Sequence, residues 1–261
     1  MKTEQRGRPV TTQPTVTPKG TVLLLGARSD VARATARRYA AAGYAIQLAA
    51  RDPERLAAEK TDLELRYRVA VTLLPFDALD VAGHGAFVAA LPVLPDVVVC
   101  AVGLLGKQAE DEQDIAAAIT VMRSNFEGPA SILGHLANAF AARRSGTLIG
   151  ISSVAGDRGR ATNYIYGSAK AGFTAYLSGL RNRMAGMGVH VITVSPGFIA
   201  TRMTAGMDLP AKLTATPEEV AEAIFAAQEK RRNVIYVRPI WWLVMLIIRN
   251  IPEPVFKRLK I

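Results

Sequence analysis

Thr21-Val22-Leu23-Leu24-Leu25-Gly26-Ala27-Arg28-Ser29-Asp30-Val31-Ala32 decides how the remainder of the chain is read. An apolar run ends in a glycine, and an amphipathic stretch begins shortly after it. A glycine directly after a strand permits a tight turn, and the free N–H groups and positive dipole of the next helix make a seat for a pyrophosphate. Taken alone, the same letters also describe an ordinary strand-to-helix turn.

The surrounding pattern carries more weight. Continuous apolar runs at Thr21–Leu25, Ala45–Ala49, Val69–Leu74, Asp96–Cys100, Thr147–Ile151, Val189–Val194 and Val234–Val237 read as strands covered on both faces. Helical periodicity lies between them at Val31–Ala42, Pro53–Arg66, Asp111–Arg143, Tyr164–Gly186 and Pro217–Arg231, with Pro53 and Pro217 suited to a first helical turn. Such alternation implies right-handed crossovers and one α/β domain, a doubly wound parallel sheet of about seven strands with helices on both faces. Ligands bind such sheets beyond the carboxyl ends of the strands. No internal repeat or linker interrupts 20–238.

At 261 residues, 50% hydrophobic and 21% charged, the chain has ordinary globular composition. Its single cysteine, Cys100, cannot form an internal disulfide, and a multi-cysteine zinc site is excluded. This predicts an intracellular, cytoplasmic chain. His84, His135 and His190 are widely separated, so no metal centre is expected. His84 reads as a loop residue and His190 as a strand start, both structural. The net charge of +10 is unevenly placed: residues 1–20 carry +3, residues 229–261 carry +6, and the middle is nearly neutral. A nucleic-acid binder usually shows its basic face on the folded body, so no nucleic-acid partner is expected. Residues 1–19, rich in Thr, Pro, Gln and Arg, read as a disordered basic leader.

Two further stretches carry chemistry. The second strand ends Leu48-Ala49-Ala50-Arg51-Asp52. An acid at its tip would bind the ribose 2′-hydroxyl of NAD, and an arginine would pair with the 2′-phosphate of NADP. Ala50 leaves the acidic position empty and Arg51 follows, which favours NADP(H), with NAD(H) the alternative. A solvated surface side chain is the competing reading of Arg51. Tyr166-Gly167-Ser168-Ala169-Lys170 follows Ser153 by thirteen residues. Tyr166 and Lys170, four apart, share a helix face. An ammonium about 4 Å from the phenol would favour phenolate by up to ~4 kcal/mol at an effective dielectric near 20. That moves a tyrosine toward acid–base work near neutral pH. Ser153, at a strand mouth, is placed to donate to a carbonyl oxygen that gains charge under hydride attack.

With these residues in place, the chain over about 21–238 resembles the short-chain dehydrogenase/reductase family, whose fold is a Rossmann domain. The matching positions are Gly26, Asp77, Asn125, Ser153, Tyr166 with Lys170, and Ser195-Pro196-Gly197 with Thr201. The resemblance implies that Tyr166 is the general acid, that Lys170 lowers its pKa and holds the nicotinamide ribose, and that Ser153 orients the substrate carbonyl. Asn125 would support a proton-relay water beside Lys170. The implied cofactor seat comprises Gly26, Arg28, Ser29, Asp30, Val31, Arg51, Asp77, Ala101, Gly103, Tyr166, Lys170, Pro196, Gly197, Ile199 and Thr201, with Asp77 near adenine and Thr201 near the nicotinamide amide. It also implies a homodimer or homotetramer.

The chain departs from the family pattern twice. Asp30 and Ala32 stand at the second and third glycines of the turn, and Asp30 sets a carboxylate near the pyrophosphate unless it turns away to cap the helix. Cys100-Ala101-Val102-Gly103 replaces an Asn-Asn-Ala-Gly. More finely, Phe76–Asp80, Gly103–Gly106, Ser152–Gly172 and the segment from Arg249 to Ile261 are similar to the branch that reduces the 2-keto pentose of a polyprenyl phosphate, working after a flavoprotein oxidase partner in cell-wall polysaccharide synthesis.

The C-terminal tail, 239–261, is apolar and basic. Pro239 to Ile248 is a ten-residue run without charge, spanning as helix ~15 Å, half of the ~30 Å hydrocarbon core. It cannot cross a bilayer, but with Trp241, Trp242 and the flanking Lys/Arg it suits an interface on the inner face of the cell membrane. Packing over the substrate pocket or in a subunit interface is the equal alternative. Three functions remain in play: a reductase of a lipid-linked keto sugar, a reductase of other lipid-like ketones, and a catalytically silent nucleotide-binding scaffold for an oxidase.

Overall fold

The structure, a computed structural model, describes residues 17–259. Most of the expected basic leader, 1–16, lies outside them. The main sheet has seven strands, β1 (Thr21–Leu25), β2 (Ala45–Ala50), β3 (Val71–Pro75), β4 (Val97–Cys100), β5 (Gly146–Ile151), β6 (Val189–Pro196) and β7 (Val234–Val237), in the order β3-β2-β1-β4-β5-β6-β7. Each neighbouring pair is parallel. The doubly wound architecture read from the sequence is therefore the one observed.

Strand alternation splits the core into two layers. Val22 and Leu24 face one side, with Tyr39 and Ala36 of α1 (Asp30–Ala41), Leu63 of α2 (Ala57–Tyr67) and Ile224 from the helix Pro217–Glu229. Leu23 and Leu25 face the other, with Leu133 and Phe140 of the helix Gly128–Arg143 and Phe173 and Leu177 of the helix Tyr164–Met184. Val22, Leu23, Leu24 and Leu25 of β1 are fully buried, and each such burial contributes roughly 1.5–3 kcal/mol.

Several expected boundaries shift. Pro53–Leu56 is a 3-10 turn ahead of α2. A helix absent from the expectation, α3 (His84–Ala89), begins at His84, which is buried and bonded through Nδ1 to Ser131 Oγ and through Nε2 to the Asp77 carbonyl. The single long helix expected at Asp111–Arg143 is broken into a short turn, α4 (Ile115–Met122), a π-helical stretch at Arg123–Glu127, and α5 (Gly128–Arg143). Asp114 causes the first break, its carboxylate accepting from the N–H groups of Ala116 and Ala117 as an N-cap. At the last junction Pro129 has no N–H to give, and Gly128 packs so tightly that a Cβ would stand 2.1 Å from the Ala78 carbonyl oxygen. Then come α6 (Tyr164–Met184) and α7 (Pro217–Glu229), which closes its N-terminus with a capping box between Thr216 and Glu219.

The tail folds back onto this body. Helix α8 (Ile240–Asn250) buries Trp241 and Met245 against Val154, with Phe198, Leu213 and Tyr236 alongside. The Trp241 indole N–H donates to the Leu213 carbonyl at 3.0 Å. Gly197 makes this contact possible, because a Cβ there would fall 1.9 Å from the indole ring. Arg158 clamps the far end of the helix. It donates to the carbonyls of Ile248 and Ile251 at 2.7 and 2.6 Å, pairs with Glu253, and lies 3.5 Å over the Phe256 ring. Of the two packing alternatives for the tail, this is docking beside the pocket. No helix among the described residues is long and apolar enough to cross a membrane.

Candidate active site

Strand β1 sits between β2 and β4, so the chain reverses direction across the sheet at this point, and a crevice opens beyond the carboxyl ends. Gly26 makes the turn there with φ +77°, and a Cβ on it would come within 3.0 Å of the Ala101 backbone. This close approach of two loops forms the floor of a cavity of about 1000 Å³. Gly26, Arg28, Ser29, Asp30, Val31, Arg51, Asp77, Ala101, Gly103, Ser153, Tyr166, Lys170, Pro196, Gly197, Ile199 and Thr201 all line it. Asn125 does not. It is fully buried in the π-helical stretch, with its amide donating to the Leu104 and Val121 carbonyls and its Oδ1 accepting from the Leu104 N–H. Its side chain thus fixes the Gly103–Leu104 wall rather than facing the cavity.

Asp30, the departure in the glycine-rich turn, does not cap α1. Ser29 takes that place, its Oγ accepting from the Ala32 N–H at 3.0 Å, while the N–H groups of Asp30 and Val31 have no intrahelical acceptor. The Asp30 carboxylate instead turns to Arg202, accepting from its backbone N–H at 2.8 Å and its Nε at 2.9 Å. Burial pushes this carboxyl up, but the Arg202 hydrogen bonds and charge outweigh it and hold the group below the usual range. The helix N-terminus therefore remains fit for a pyrophosphate. At the β2 tip Arg51 is exposed, and Arg28 pairs with Asp52 at 2.9 Å, which draws that carboxylate toward a cation. Asp77 accepts from the Leu79 N–H, and Thr201 opens the short turn Arg202–Thr204.

The catalytic group is built where the loop after β5 meets α6. Gly156 lies so close to this helix that a Cβ would be 2.6 Å from the Ala171 nitrogen, and Ser152 Oγ donates to the Lys170 carbonyl at 3.0 Å. These contacts fix Ser153 against Tyr166. Ser153 Oγ accepts from the Ala155 N–H at 3.1 Å and lies close enough to the Tyr166 hydroxyl to favour its ionised form. The Lys170 ammonium donates to the Ile151 carbonyl at 3.0 Å and stands 5.7 Å from the Tyr166 ring centroid.

Burial, rather than the Lys170 charge, sets the sense of the Tyr166 shift, opposite to the lowering expected. Burial pushes Tyr166 up to about 12, against the lowering effect of the Ser153 hydrogen bond, and burial also brings Lys170 down to about 8. Tyr166 is consequently a protonated phenol at neutral pH, as a proton donor to a carbonyl must be. A carbonyl oxygen lying between the two hydroxyls would take hydrogen bonds from both. Elsewhere, His190 is buried in β6 beside Asn233, and buried Cys100 is pushed up to about 11, an inert thiol. Among the described residues no cluster of metal-ligating side chains occurs.

Arg160 and Asn163, in the loop between Ser153 and Tyr166, were not singled out from the sequence, and Trp241 of α8, read there as an interface residue, lines the cavity as well. Arg158-Gly159-Arg160 just ahead of the tyrosine helix was the available signal for the first.

The chain belongs to the short-chain dehydrogenase family, whose model, described as short chain dehydrogenase, matches residues 20–211. It is 39% identical to an uncharacterized oxidoreductase of Mycobacterium tuberculosis over 245 residues, 91% of this chain and 96% of that one. It is 31% identical to sulfoacetaldehyde reductase 2 of Chromohalobacter salexigens, over 78% of this chain and 86% of the relative. A short-chain dehydrogenase from Sphingobium yanoikuyae, solved in complex with NADPH, superposes with a TM-score of 0.77 at 22% identity, covering 91% of this chain and 97% of that one. The protein is thus an NAD(P)-dependent oxidoreductase acting between alcohols and ketones.

Proposed function

We propose that this enzyme uses NADPH to reduce a ketone carried on a membrane lipid, with the 2-keto pentose of a polyprenyl phosphate as its favoured substrate. The observation that carries the reading is the Ser153–Tyr166 hydroxyl pair inside a cavity whose wall is partly apolar and partly made by Trp241 of the docked tail. A bound reduced nicotinamide supplies the hydride. The cofactor's pyrophosphate would be held by the Gly26 turn and the start of α1, its 2′-phosphate by Arg51 and Arg28, and its nicotinamide ribose by Tyr166 and Lys170. Tyr166 gives the substrate oxygen its proton, Ser153 donates to the same oxygen, and Lys170 keeps a positive charge beside the phenol as the proton leaves. The Asn125 amide keeps the Gly103–Leu104 wall in place.

The lipid half of the reading rests on α8. Ile240, Trp242, Leu243 and Ile247 are 49–60% exposed on the face turned from the body, next to Arg249, Lys257 and Arg258. An apolar face ringed by basic residues suits the inner leaflet, which would give the polyprenyl chain a direct path from the bilayer. A flavoprotein oxidase that makes the keto sugar is the matching partner. The exposed side chains Ile115, Ile119, Met122 and Phe126 form a stripe along α4 and the π-helical stretch that suits pairing with a second copy. Other lipid-like ketones are the second reading, since the apolar wall does not distinguish among them. A silent scaffold is disfavoured by the assembled hydroxyl pair.

Tyr166→Phe tests the chemistry: turnover falls by orders of magnitude while NADPH binding persists, and unchanged turnover refutes the mechanism. Assays on a polyprenyl-phosphoryl keto-pentose beside simple ketones, each with NADH and NADPH, test substrate and cofactor. Flotation with anionic liposomes, with and without residues 239–261, tests the membrane role, and equal partitioning refutes it.

A further inference from the structure

Five cationic side chains line the cavity, and four of them are accounted for. Arg28 pairs with Asp52, Arg202 with Asp30, Lys170 bonds the Ile151 carbonyl, and Arg51 lies at the β2 tip where a cofactor's adenosine end belongs. Arg160 is different. Among the described residues its guanidinium has no carboxylate within ion-pair distance and no hydrogen-bond acceptor, and its Nε is shut off from solvent without a partner. The neighbouring Asp157 carboxylate is committed to the Tyr236 hydroxyl at 2.9 Å. Burial lowers the Arg160 pKa, outweighing the favourable but unbonded charge of Asp157.

Asn163, three residues on, shares the wall and the condition. Its backbone N–H closes a turn onto the Arg160 carbonyl at 3.0 Å, and its side-chain Oδ1 is buried without a donor. An unpaired cation and an unpaired acceptor in one wall leave a definite chemical gap, because half-buried groups of this kind cost free energy until something pairs with them. The same cavity is also lined by the apolar side chains of Leu104, Met203, Met207 and Trp241.

We infer that Arg160 seats an anionic phosphate ester on the substrate, with Asn163 Oδ1 accepting from a neighbouring hydroxyl. The inference deepens the proposed function and rests on its placement of the substrate carbonyl at Ser153 and Tyr166, which line the same cavity as Arg160. Guanidinium geometry matches phosphate oxygens two at a time, which makes the residue a determinant of which ketones are accepted.

The test uses the full chain loaded with NADP+ and isothermal titration with farnesyl phosphate, farnesol and ribose 5-phosphate. Wild-type protein should bind farnesyl phosphate at least about tenfold tighter than farnesol, as a charged hydrogen bond implies. Arg160→Met should erase that preference and leave farnesol binding unchanged, and Arg160→Lys should keep part of it. NADP+ affinity, equal in all three proteins, shows that the variants are folded. Equal wild-type affinity for farnesyl phosphate and farnesol, or a preference that survives in Arg160→Met, overturns the assignment while leaving a lipid-accepting cavity intact. Arg160-dependent binding of ribose 5-phosphate as tight as that of farnesyl phosphate upholds the anion seat and removes the lipid from the proposed substrate.

Discussion

Arg158→Ala should release the tail helix from the body, and the size of the effect follows from the contacts of one guanidinium. The Arg158 side chain is only 16% exposed, and its Nη1 donates to the carbonyl of Ile248, which otherwise takes only a long 3.4 Å bond from the Ile251 N–H, and to the carbonyl of Ile251 just past α8. A positive charge at a helix C-terminus is favourable in its own right. The Glu253 partner is 72% exposed, so the ion pair adds little. Hydrogen bonds from a charged donor are each worth roughly 1.5–3 kcal/mol, and the two together, after relaxation and water entry, should leave about 3 kcal/mol. That corresponds to about a hundredfold shift in the opening equilibrium of α8. Hydrogen–deuterium exchange of the 240–250 amides reads this equilibrium directly, and those amides should exchange about a hundred times faster while the β1 and β4 amides do not change. Arg158→Lys keeps a charge but loses the fork, and should fall between. Exchange within threefold of wild type in Arg158→Ala would mean that Trp241 and Met245 hold the helix alone, refuting the clamp.

Three other outcomes follow from single contacts. Gly197→Ala drives a Cβ to 1.9 Å from the Trp241 indole, so the ring must leave its pocket at a cost of roughly 1–3 kcal/mol; tryptophan emission should shift to the red, and an unchanged spectrum overturns the packing argument. Gly26→Ala forces φ +77° on a side chain and presses it to 3.0 Å from the Ala101 backbone, costing roughly 1–2 kcal/mol in stability and weakening NADPH binding, to be read by denaturation and calorimetry. Lys170, brought down to about 8 by burial, binds fewer protons folded than unfolded between pH 8 and its ordinary value of 10.5. Its cost to the cofactor-free fold is complete below pH 8 and is relieved as pH rises, by about 1 kcal/mol between pH 7.5 and 9. The Cys100 thiol, pushed up to about 11, opposes this from pH 9 upward, so wild type and Lys170→Met are compared over that lower window. Parallel stability curves for the two proteins would count against a depressed lysine.

The parts legible in the sequence were those fixed by local pattern. β1, the Gly26 turn and α1 are encoded within a dozen residues, because strand burial, a positive φ and a helix start each demand particular residue types at adjacent positions. The pairing of Tyr166 with Lys170 on one helix face followed from spacing alone. What spacing could not supply was the acceptor of the ammonium: the Ile151 carbonyl comes from a strand nineteen positions away, and the shared burial of phenol and lysine reverses the expected sense of the tyrosine shift. Helix α3 was hidden for a similar reason. It is only six residues long, with Gly83 just ahead of it and Gly85 inside it, and it is held by tertiary contacts, the His84 ring stacked on Phe76 at 5.3 Å and bonded to Ser131 of α5. Asp114 and Pro129 did signal the breaks in the long helix, but a π-helical turn has no sequence mark of its own. Arg160 shows the limit most plainly. As a letter it is one of 32 basic residues, most of them solvated or paired. Only the fold, by giving every other cation in the cavity a partner or a place on the cofactor side, makes this one conspicuous. A charge becomes a statement about substrate when burial removes water and no carboxylate has replaced it.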